Sequence, residues 1–309
     1  MSTVALLGPQ RFTPTLGRAV AEVGVAGRLA SITAGWQERE AEDLELHEHL
    51  GGRTINLQLY ARAEDVFAVD PELFRAHRER QERLRAQQDL YRRRLGPMRD
   101  AALRLLEADG DETLLEPERA DAIRAIARLD AHHLRRVRAI DAEFGRRLRP
   151  WARGSVRRHA AAIDRALGGV AGVAIAGGHV AVLLNRLRLF GIAGRLRGRA
   201  VFAWSAGAMA IAERVVLFHD TPPEGEGVAE VMETGLGLVR GLVPLPHARR
   251  RLRLDDPLRV ALFARRFAPA VALAFDDGAR LVLRDGRTLA VDGVARLAAS
   301  GALSDEAAA

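Results

Sequence analysis

The sequence predicts an α/β fold in which a mostly parallel sheet lies between two layers of helices, with an inserted α-helical segment. Short apolar strands alternate with helices over residues 1–70, as a parallel sheet requires. Residues 71–167 lose this alternation and become helical and highly charged. The alternation resumes over residues 168–309. We therefore predict one α/β domain formed by residues 1–70 and 168–309, and a helical insertion at 71–167.

The first part of the predicted domain contains three strands and two helices. Its strands are short and almost entirely apolar, which fits a sheet covered on both faces. We predict strands at TVALL (3–7), within GRLASITAGW (27–36) and at RTINLQLY (53–60), and helices at GRAVAEV (17–23) and EREAEDLELHEHL (38–50).

The insertion begins with a helix-start signal. Asp70 is a suitable N-cap, and Pro71 suits the first helical position. Apolar residues then recur at helical spacing, so each helix has one apolar face for packing. With breaks at Gly96–Pro97 and at residues 108–111, the predicted helices lie near 71–95, 97–108, 117–148 and 155–167.

The second part of the predicted domain continues the strand and helix alternation. Asp-Gly pairs separate its last strands, as hairpin turns prefer. We predict a strand, a glycine turn and a helix over 169–187, a strand at 199–204, a helix at 206–215, a polar loop at 219–234, an apolar segment at 235–247, a helix at 256–267, and strands at 270–277, 279–285 and 287–293.

Composition excludes several classes of protein and of site. The chain has 309 residues, 48% of them hydrophobic, and no run of about 18 apolar residues that would cross a membrane. Because the first residues lack the pattern of a signal peptide, we expect a cytoplasmic protein with no membrane partner. The absence of Cys excludes disulfides, thiolate metal sites and a cysteine nucleophile.

The histidine pairs at 47/49 and 132/133 lack partners at metal-ligand spacing, so we expect no metal and no cofactor.

Ser205 lies at the bend between a short apolar strand and an alanine-rich helix, in the stretch RAVFAWSAGAMAIAERV. A tight strand-to-helix bend exposes a serine oxygen and directs the following backbone N–H at a developing oxyanion. The letters AWSAG nearly match the hydrolase pattern G-x-S-x-G, with Ala203 in place of the first glycine. A serine at a helix start is also a common N-cap, so the bend alone leaves both interpretations open.

A serine nucleophile needs a base and an orienting acid. His247 follows an apolar strand in VPLPHARRR, and Asp220 begins the loop after the Ser205 helix. His219 is a rival base, but adjacent residues on one extended segment point apart, so only one of His219 and Asp220 can face Ser205. Gly177 and Gly178 end the preceding strand, where bare N–H groups can supply a second oxyanion donor.

These residues together resemble the dipeptidase E and cyanophycinase family of serine peptidases, through WSAGA, Asp220 fifteen positions after Ser205, PLPH, and AGGHVAVLL. The resemblance covers about residues 168–250 and not the insertion. It implies a flavodoxin-like three-layer sandwich, similar to class I glutamine amidotransferases. It further implies a nucleophile at Ser205, a base at His247, an acid at Asp220, and oxyanion donors at the amides of Gly178 and Ala206.

The resemblance also implies a substrate class, namely small or aspartyl-containing peptides. Gly177, His179, Arg249 and Arg250 are the candidate substrate-binding residues. The two arginines belong to the cluster Arg249, Arg250, Arg251 and Arg253, which can hold a substrate carboxylate because a guanidinium binds a carboxylate through two hydrogen bonds. A solvated basic turn is an equally good interpretation of the arginines. His179 and Ala248 stand where the family usually has Asn and an aromatic residue, which leaves substrate preference open.

The excess of basic over acidic residues is concentrated in the insertion. All 47 basic residues are arginine, and residues 71–167 contain 23 of them against 16 acidic residues, an excess equal to the net charge of +7. Acidic residues at helical spacing offset many of these arginines, so nucleic acid is not the expected partner. Long helical pairs favour a homo-oligomer, such as a dimer. A second hypothesis is therefore a catalytically silent family member that acts as a binding or assembly protein through the insertion.

Overall fold

The computed structural model describes residues 3–218 and 229–305, and within them the centre of the fold is a nine-stranded mixed sheet. The strands are β1 Thr3–Leu7, β2 Leu29–Ile32, β3 Thr54–Asn56, β4 Gly172–Ile175, β5 Ala200–Trp204, β6 Arg214–Leu217, β7 Glu230–Thr234, β8 Leu242–Pro246, β9 Val271–Arg284, β10 Arg287–Leu297 and β11 Leu303–Ser304. The strand order of the sheet is β11-β10-β9-β1-β5-β4-β2-β3, with β8 beside β9, while β6 and β7 form a separate two-stranded sheet.

The parallel part of the sheet consists of β3, β2, β4, β5 and β1, and β9 joins β1 in the antiparallel direction. Both faces are covered. Along β1, Val4 and Leu6 pack into one apolar cluster and Ala5 and Leu7 into another, because successive strand residues point to opposite faces. This mixed α/β architecture with a largely parallel sheet agrees with the predicted class and is consistent with a flavodoxin-like sandwich.

Helices cover the sheet and extend from it. In the part of the chain that the structure describes, none of them is both long and apolar enough to cross a membrane. They are α1 Leu16–Val23, α2 Leu44–His49, α3 Leu59–Val69, α4 Pro71–Glu107, α5 Glu112–Leu148, α6 Gly154–Gly168, α7 Val180–Leu189, α8 Ile192–Arg195, α9 Ala206–Ile211, α10 Ala248–Arg251 and α11 Pro257–Phe267, with 3-10 turns at Ala34–Arg39 and Pro150–Ala152.

The helical segment has fewer breaks than the sequence predicts. Gly96–Pro97 does not end a helix, since α4 runs without interruption through Pro97. An interior proline costs about 3 kcal/mol, but Leu95 and Ala102 on either side of it are buried, because α4 packs along α5. The second long helix begins at Glu112 rather than 117, since Asp111 accepts a hydrogen bond from the amide of Thr113 at 2.9 Å.

The helix predicted at 206–215 is also too long. It ends at Ile211, and Val215 and Val216 belong to β6, which pairs with β7. The predicted polar loop at 219–234 therefore contains a strand at its end. β-Branched residues favour strands where a partner strand is present, and that partner is distant in sequence.

Other predicted elements also have different bounds. The strand predicted at 53–60 covers only Thr54–Asn56, and α3 follows it. The acidic helix predicted at 38–50 is reduced to α2, after a 3-10 turn. The strands predicted at 270–277 and 279–285 are one strand, β9, because it pairs with β8 at one end and with β1 at the other.

The helical segment packs closely against the rest of the chain. Helices α4 and α5 pack along each other, α5 contacts β7, and α11 contacts both long helices. Asp70 caps α4 as predicted, accepting a hydrogen bond from the amide of Leu73 at 3.1 Å. The division into an α/β domain and an insertion at 71–167 remains a prediction.

Candidate active site

Ser205 joins β5 to α9 in a strained backbone conformation. Its φ of 50° and ψ of −125° are outside the regions that most residues with a side chain adopt. The small residues behind it are needed for this bend. A Cβ on Gly207 would lie 2.3 Å from the carbonyl oxygen of Ile175, so only glycine lets α9 start so close to β4. The surrounding packing maintains this strained conformation, which places the half-buried Ser205 side chain at the carboxyl edge of the parallel strands.

His247 directly follows β8 and faces Ser205. Its Nε2 lies 3.2 Å from the Oγ of Ser205, within hydrogen-bonding reach. The backbone N–H of His247 donates to the carbonyl of Phe275 at 2.9 Å, which attaches the residue to β9. Burial and the nearby guanidinium of Arg251 hold the pKa of His247 below its usual value. The imidazole is therefore neutral at pH 7 and can accept a proton.

The predicted acid, Asp220, and the rival base, His219, lie outside the described residues. The negative charges near His247 in the part of the chain that the structure describes include Asp276 and Asp277, and both raise the pKa of the imidazole. Asp276 accepts a hydrogen bond from the amide of Arg249 at 3.0 Å, and burial raises its own pKa.

Asp276 was not among the site residues predicted from the sequence. Its position next to His247 depends on the pairing of β8 with β9, in which Pro246 lies opposite Phe275. The paired residues are 29 positions apart, so the sequence near either strand does not indicate the pairing. The apolar run before Asp276 indicated only that a strand ends there.

The glycine turn lies against the serine. A Cβ on Gly177 would be 2.8 Å from the Cβ of Ser205, so this backbone is in close contact with the serine side chain. Gly178 has a φ of 104°, which a side chain would strain. Within the described residues, neither the amide of Gly178 nor that of Ala206 donates a hydrogen bond, which leaves both as candidate oxyanion donors.

Gly35, in the 3-10 turn after β2, supports the glycine turn and was also missed. Its own Cβ would lie 2.3 Å from the carbonyl oxygen of Gly177, and a Cβ on Gly178 would lie 2.3 Å from the carbonyl oxygen of Gly35. The amide of His179 donates to that same carbonyl of Gly35 at 2.7 Å. Two turns from different strands are therefore interlocked beside Ser205.

A cavity of about 1000 Å³ opens over Ser205 and His247. Its size suits a small peptide, since ligand pockets commonly measure about 300–1,000 Å³. Its walls combine aromatic and aliphatic side chains with a few polar and charged ones. The lining residues include Gln10, Arg11, Trp36, Arg39, Gly177, Gly178, His179, Trp204, Ala206, Met209, Phe218, Met232 and Arg251.

The predicted substrate-binding residues do not all reach this cavity. Gly177 and His179 line it, and the Nδ1 of His179 caps α7 by accepting from the amide of Val182 at 3.3 Å. Arg249 and Arg250 do not line it, and the Arg249 side chain is 84% exposed, near Asp276. Of the predicted arginine cluster, Arg251 lines the cavity, because α10 turns that residue inward beside His247.

No protein-family model and no curated protein matches this chain. Among solved structures it is similar to a peptidase from an acI-B1 Actinobacterium, with 13% identity, a TM-score of 0.48, and coverage of 97% of this chain and 91% of that one. It is also similar to a Peptidase E-like protein from Listeria monocytogenes EGD-e, with 15% identity, a TM-score of 0.31, and coverage of 45% and 65%. Both neighbours are named as peptidases. Because both TM-scores are below 0.5, the function of this chain is inferred from the geometry of the site and not from these neighbours.

Proposed function

We propose that this chain is a serine hydrolase, and more narrowly a peptidase that acts through an acyl-enzyme on small or aspartyl-containing peptides. One observation carries the proposal. The Oγ of Ser205, at a strained strand-to-helix bend, lies 3.2 Å from the Nε2 of His247 at the wall of a large cavity. Nucleophile and base within hydrogen-bonding reach are what covalent hydrolysis by a serine requires.

In the proposed mechanism, His247 removes the proton from Ser205 as the oxygen attacks the scissile carbonyl carbon. The amides of Gly178 and Ala206 donate to the resulting oxyanion. His247 then gives the proton to the leaving amine, and an acyl group remains on Ser205. Water, activated by the same imidazole, hydrolyses this ester and restores the serine. We keep Asp220 as the proposed acid that orients His247, on the basis of the family resemblance.

Arg251 supports an acidic substrate. Its side chain is half-buried, lines the cavity, and forms no hydrogen bond or ion pair with any residue in 3–218 or 229–305. Burial and the neighbouring Arg250 hold its pKa below the usual value for arginine, although the guanidinium stays charged. A substrate carboxylate would give this cation a partner. Arg249 and Arg250, which do not line the cavity, then contribute less to binding of the substrate.

Labelling with a fluorophosphonate probe tests the proposal without knowledge of the substrate. We expect one covalent adduct at Ser205, retained in the exposed-serine control Ser300→Ala and absent in Ser205→Ala. His247→Gln is expected to slow labelling at least about 100-fold, because general-base catalysis contributes that much. A folded wild-type protein that does not label, or a Ser205→Ala variant that labels equally, refutes the hydrolase and favours the silent binding protein.

The narrower part of the proposal has its own test. If the protein reacts with the probe, faster cleavage of the dipeptide Asp-Leu than of Asn-Leu by the unmodified enzyme supports an aspartyl peptidase. Equal cleavage of the two dipeptides would refute the preference for an acidic substrate. If no small peptide is cleaved, the protein is not a peptidase, although labelling at Ser205 would still identify it as a hydrolase.

A further inference from the structure

A second cavity, of about 630 Å³, lies between the helical segment and the rest of the chain. Helices α4, α5 and α6 form one side of it, and α7 and the end of β7 form the other. It shares no lining residue with the cavity over Ser205. The proposed hydrolase makes no use of it, so its contents are a separate question.

Aromatic rings form much of the wall of this second cavity. Phe144, Trp151 and Phe190 line it. Trp151 is 65% exposed, although tryptophan is a residue that folding normally buries. Its ring lies beside Gly145 on α5, where an added Cβ would be 3.6 Å from the ring, an ordinary van der Waals contact. An exposed indole beside a cavity is a surface on which a second ring can stack.

The charges around the cavity do not balance. Arginines 80, 138, 188 and 195 line it, against Asp141 as the acidic lining residue. Arg80 pairs with Asp141 at 2.7 Å, Arg188 pairs with Asp141 and with Glu233, and Arg195 pairs with Asp164 at 2.6 Å. Three carboxylates therefore pair with three of the four guanidinium groups.

Arg138 is the cation that remains. It is exposed on α5 at the cavity, and its guanidinium forms no hydrogen bond or ion pair with any described residue. The uncompensated charge at this cavity is therefore a single positive one, located on a side chain long enough to fold over its opening.

His77 adds a neutral polar group. Its ring lies 5.0 Å from that of Phe67 and 6.4 Å from that of Phe144. Burial and the guanidinium of Arg80 lower its pKa to about 3, so the imidazole is neutral and carries one donor and one acceptor nitrogen. No residue in the described ranges forms a hydrogen bond with either nitrogen, and His77 lines the cavity.

We propose that this second cavity binds a small aromatic carboxylate, with its ring against Trp151 and Phe144 and its carboxylate on Arg138. A mostly apolar cavity with a few converging polar groups is the usual form of a small-molecule site. One unpaired guanidinium matches one negative charge, whereas a polyanion would have to displace Asp141 or Glu233 from their existing ion pairs. The ligand would touch the helical segment, α7 and β7 at once, and would stabilise their packing.

Calorimetric titration with 2-naphthoate tests this site. We expect saturable binding of one molecule per chain, weakened at least tenfold in Arg138→Gln and abolished in Ala160→Phe, which fills the cavity from α6. Arg135→Gln is the matched control, because Arg135 is an exposed arginine one turn earlier on α5 and does not line the cavity. Neutral 2-naphthamide should bind equally to wild type and Arg138→Gln.

Three outcomes would overturn the proposal. One is equal affinity of Arg138→Gln and Arg135→Gln, and another is wild-type binding by a folded Ala160→Phe. The third is loss of naphthoate binding when Ser205 carries a phosphonate adduct, which would place the probe in the other cavity. Because the titration is also run on Ser205→Ala, its result does not depend on hydrolase activity.

Discussion

Arg266 on α11 donates two hydrogen bonds to the buried carboxylate of Asp130 on α5, at 2.7 and 2.8 Å. The two side chains are 5% and 4% exposed. The hydroxyl of Tyr91 on α4 donates to the same carboxylate at 2.7 Å. A single buried ion pair thus joins both long helices of the helical segment to the C-terminal part of the chain.

Removal of one partner of this pair should destabilise the whole protein. We expect Asp130→Ala to lower the free energy of unfolding by about 3–5 kcal/mol, because Arg266 would remain buried and uncompensated. The double variant Asp130→Leu/Arg266→Met should regain most of that loss. Urea unfolding measures both, with Asp121→Ala as an exposed ion-pair control that should cost under about 1 kcal/mol. A single variant as stable as this control would show that the pair does not hold the segments together.

The pH dependence of labelling should follow the ionisation of His247. Since its pKa is lowered, the rate should stay constant down to about pH 6.5 and fall only below that value, where the imidazole gains a proton. Asp276→Asn removes a charge that raises this pKa, so the fall should move to lower pH. Arg251→Gln removes a charge that lowers it, so the fall should move to higher pH. Shifts of the same sign in the two variants would contradict this electrostatic arrangement.

Replacement of Asp220 should have a different effect from replacement of Asp276. If Asp220 orients His247, Asp220→Asn should reduce the labelling rate by several orders of magnitude, with about 10⁴-fold as the reference loss for such an acid. Asp276→Asn should reduce it much less. Both labelling rates are measured at the pH optimum of the variant. If Asp276→Asn loses more of the rate than Asp220→Asn, Asp276 is the residue that orients His247.

The interlocked glycine turns should tolerate no side chain. We expect Gly35→Ala to slow labelling at least tenfold, because the new Cβ would push the carbonyl of Gly177 away and move the turn beside Ser205. Gly168→Ala, at the end of α6, is the control, since a Cβ there has open space and an ordinary φ. Equal labelling rates in the two variants would mean that the position of the turn does not matter to Ser205.

His77 should make the fold less stable in acid. In the unfolded chain its pKa is about 6.5 and in the folded chain about 3, so between these values the unfolded state binds more protons and stability falls as pH falls. Allowing for partial exposure, we expect about 1–2 kcal/mol less stability at pH 5 than at pH 7 from this group. His77→Phe should flatten the dependence in urea titrations, and an unchanged dependence in this variant would contradict the assignment to His77.

The local sequence was sufficient for the bend at Ser205 and for the glycine turn at 177–178. Both depend on small residues and on apolar runs of a few positions, so their signals lie within one stretch of chain. The N-cap at Asp70 was predictable for the same reason, since the cap and the amide it binds are three residues apart. The family resemblance then predicted that His247 acts as the base for Ser205. In the structure, the Nε2 of His247 lies 3.2 Å from the Oγ of Ser205.

Tertiary structure decided what depends on distant segments. Pro97 stays inside a helix because α5 packs alongside it, and Val215 joins a strand because β7 provides a partner. Asp276 reaches His247 only through the pairing of β8 with β9. Helix caps and tight turns obtain most of their free energy from neighbouring residues, whereas strand pairing and buried ion pairs obtain theirs from groups far along the chain. The sequence alone therefore determined the elements that display Ser205, and the fold decided which side chains surround it.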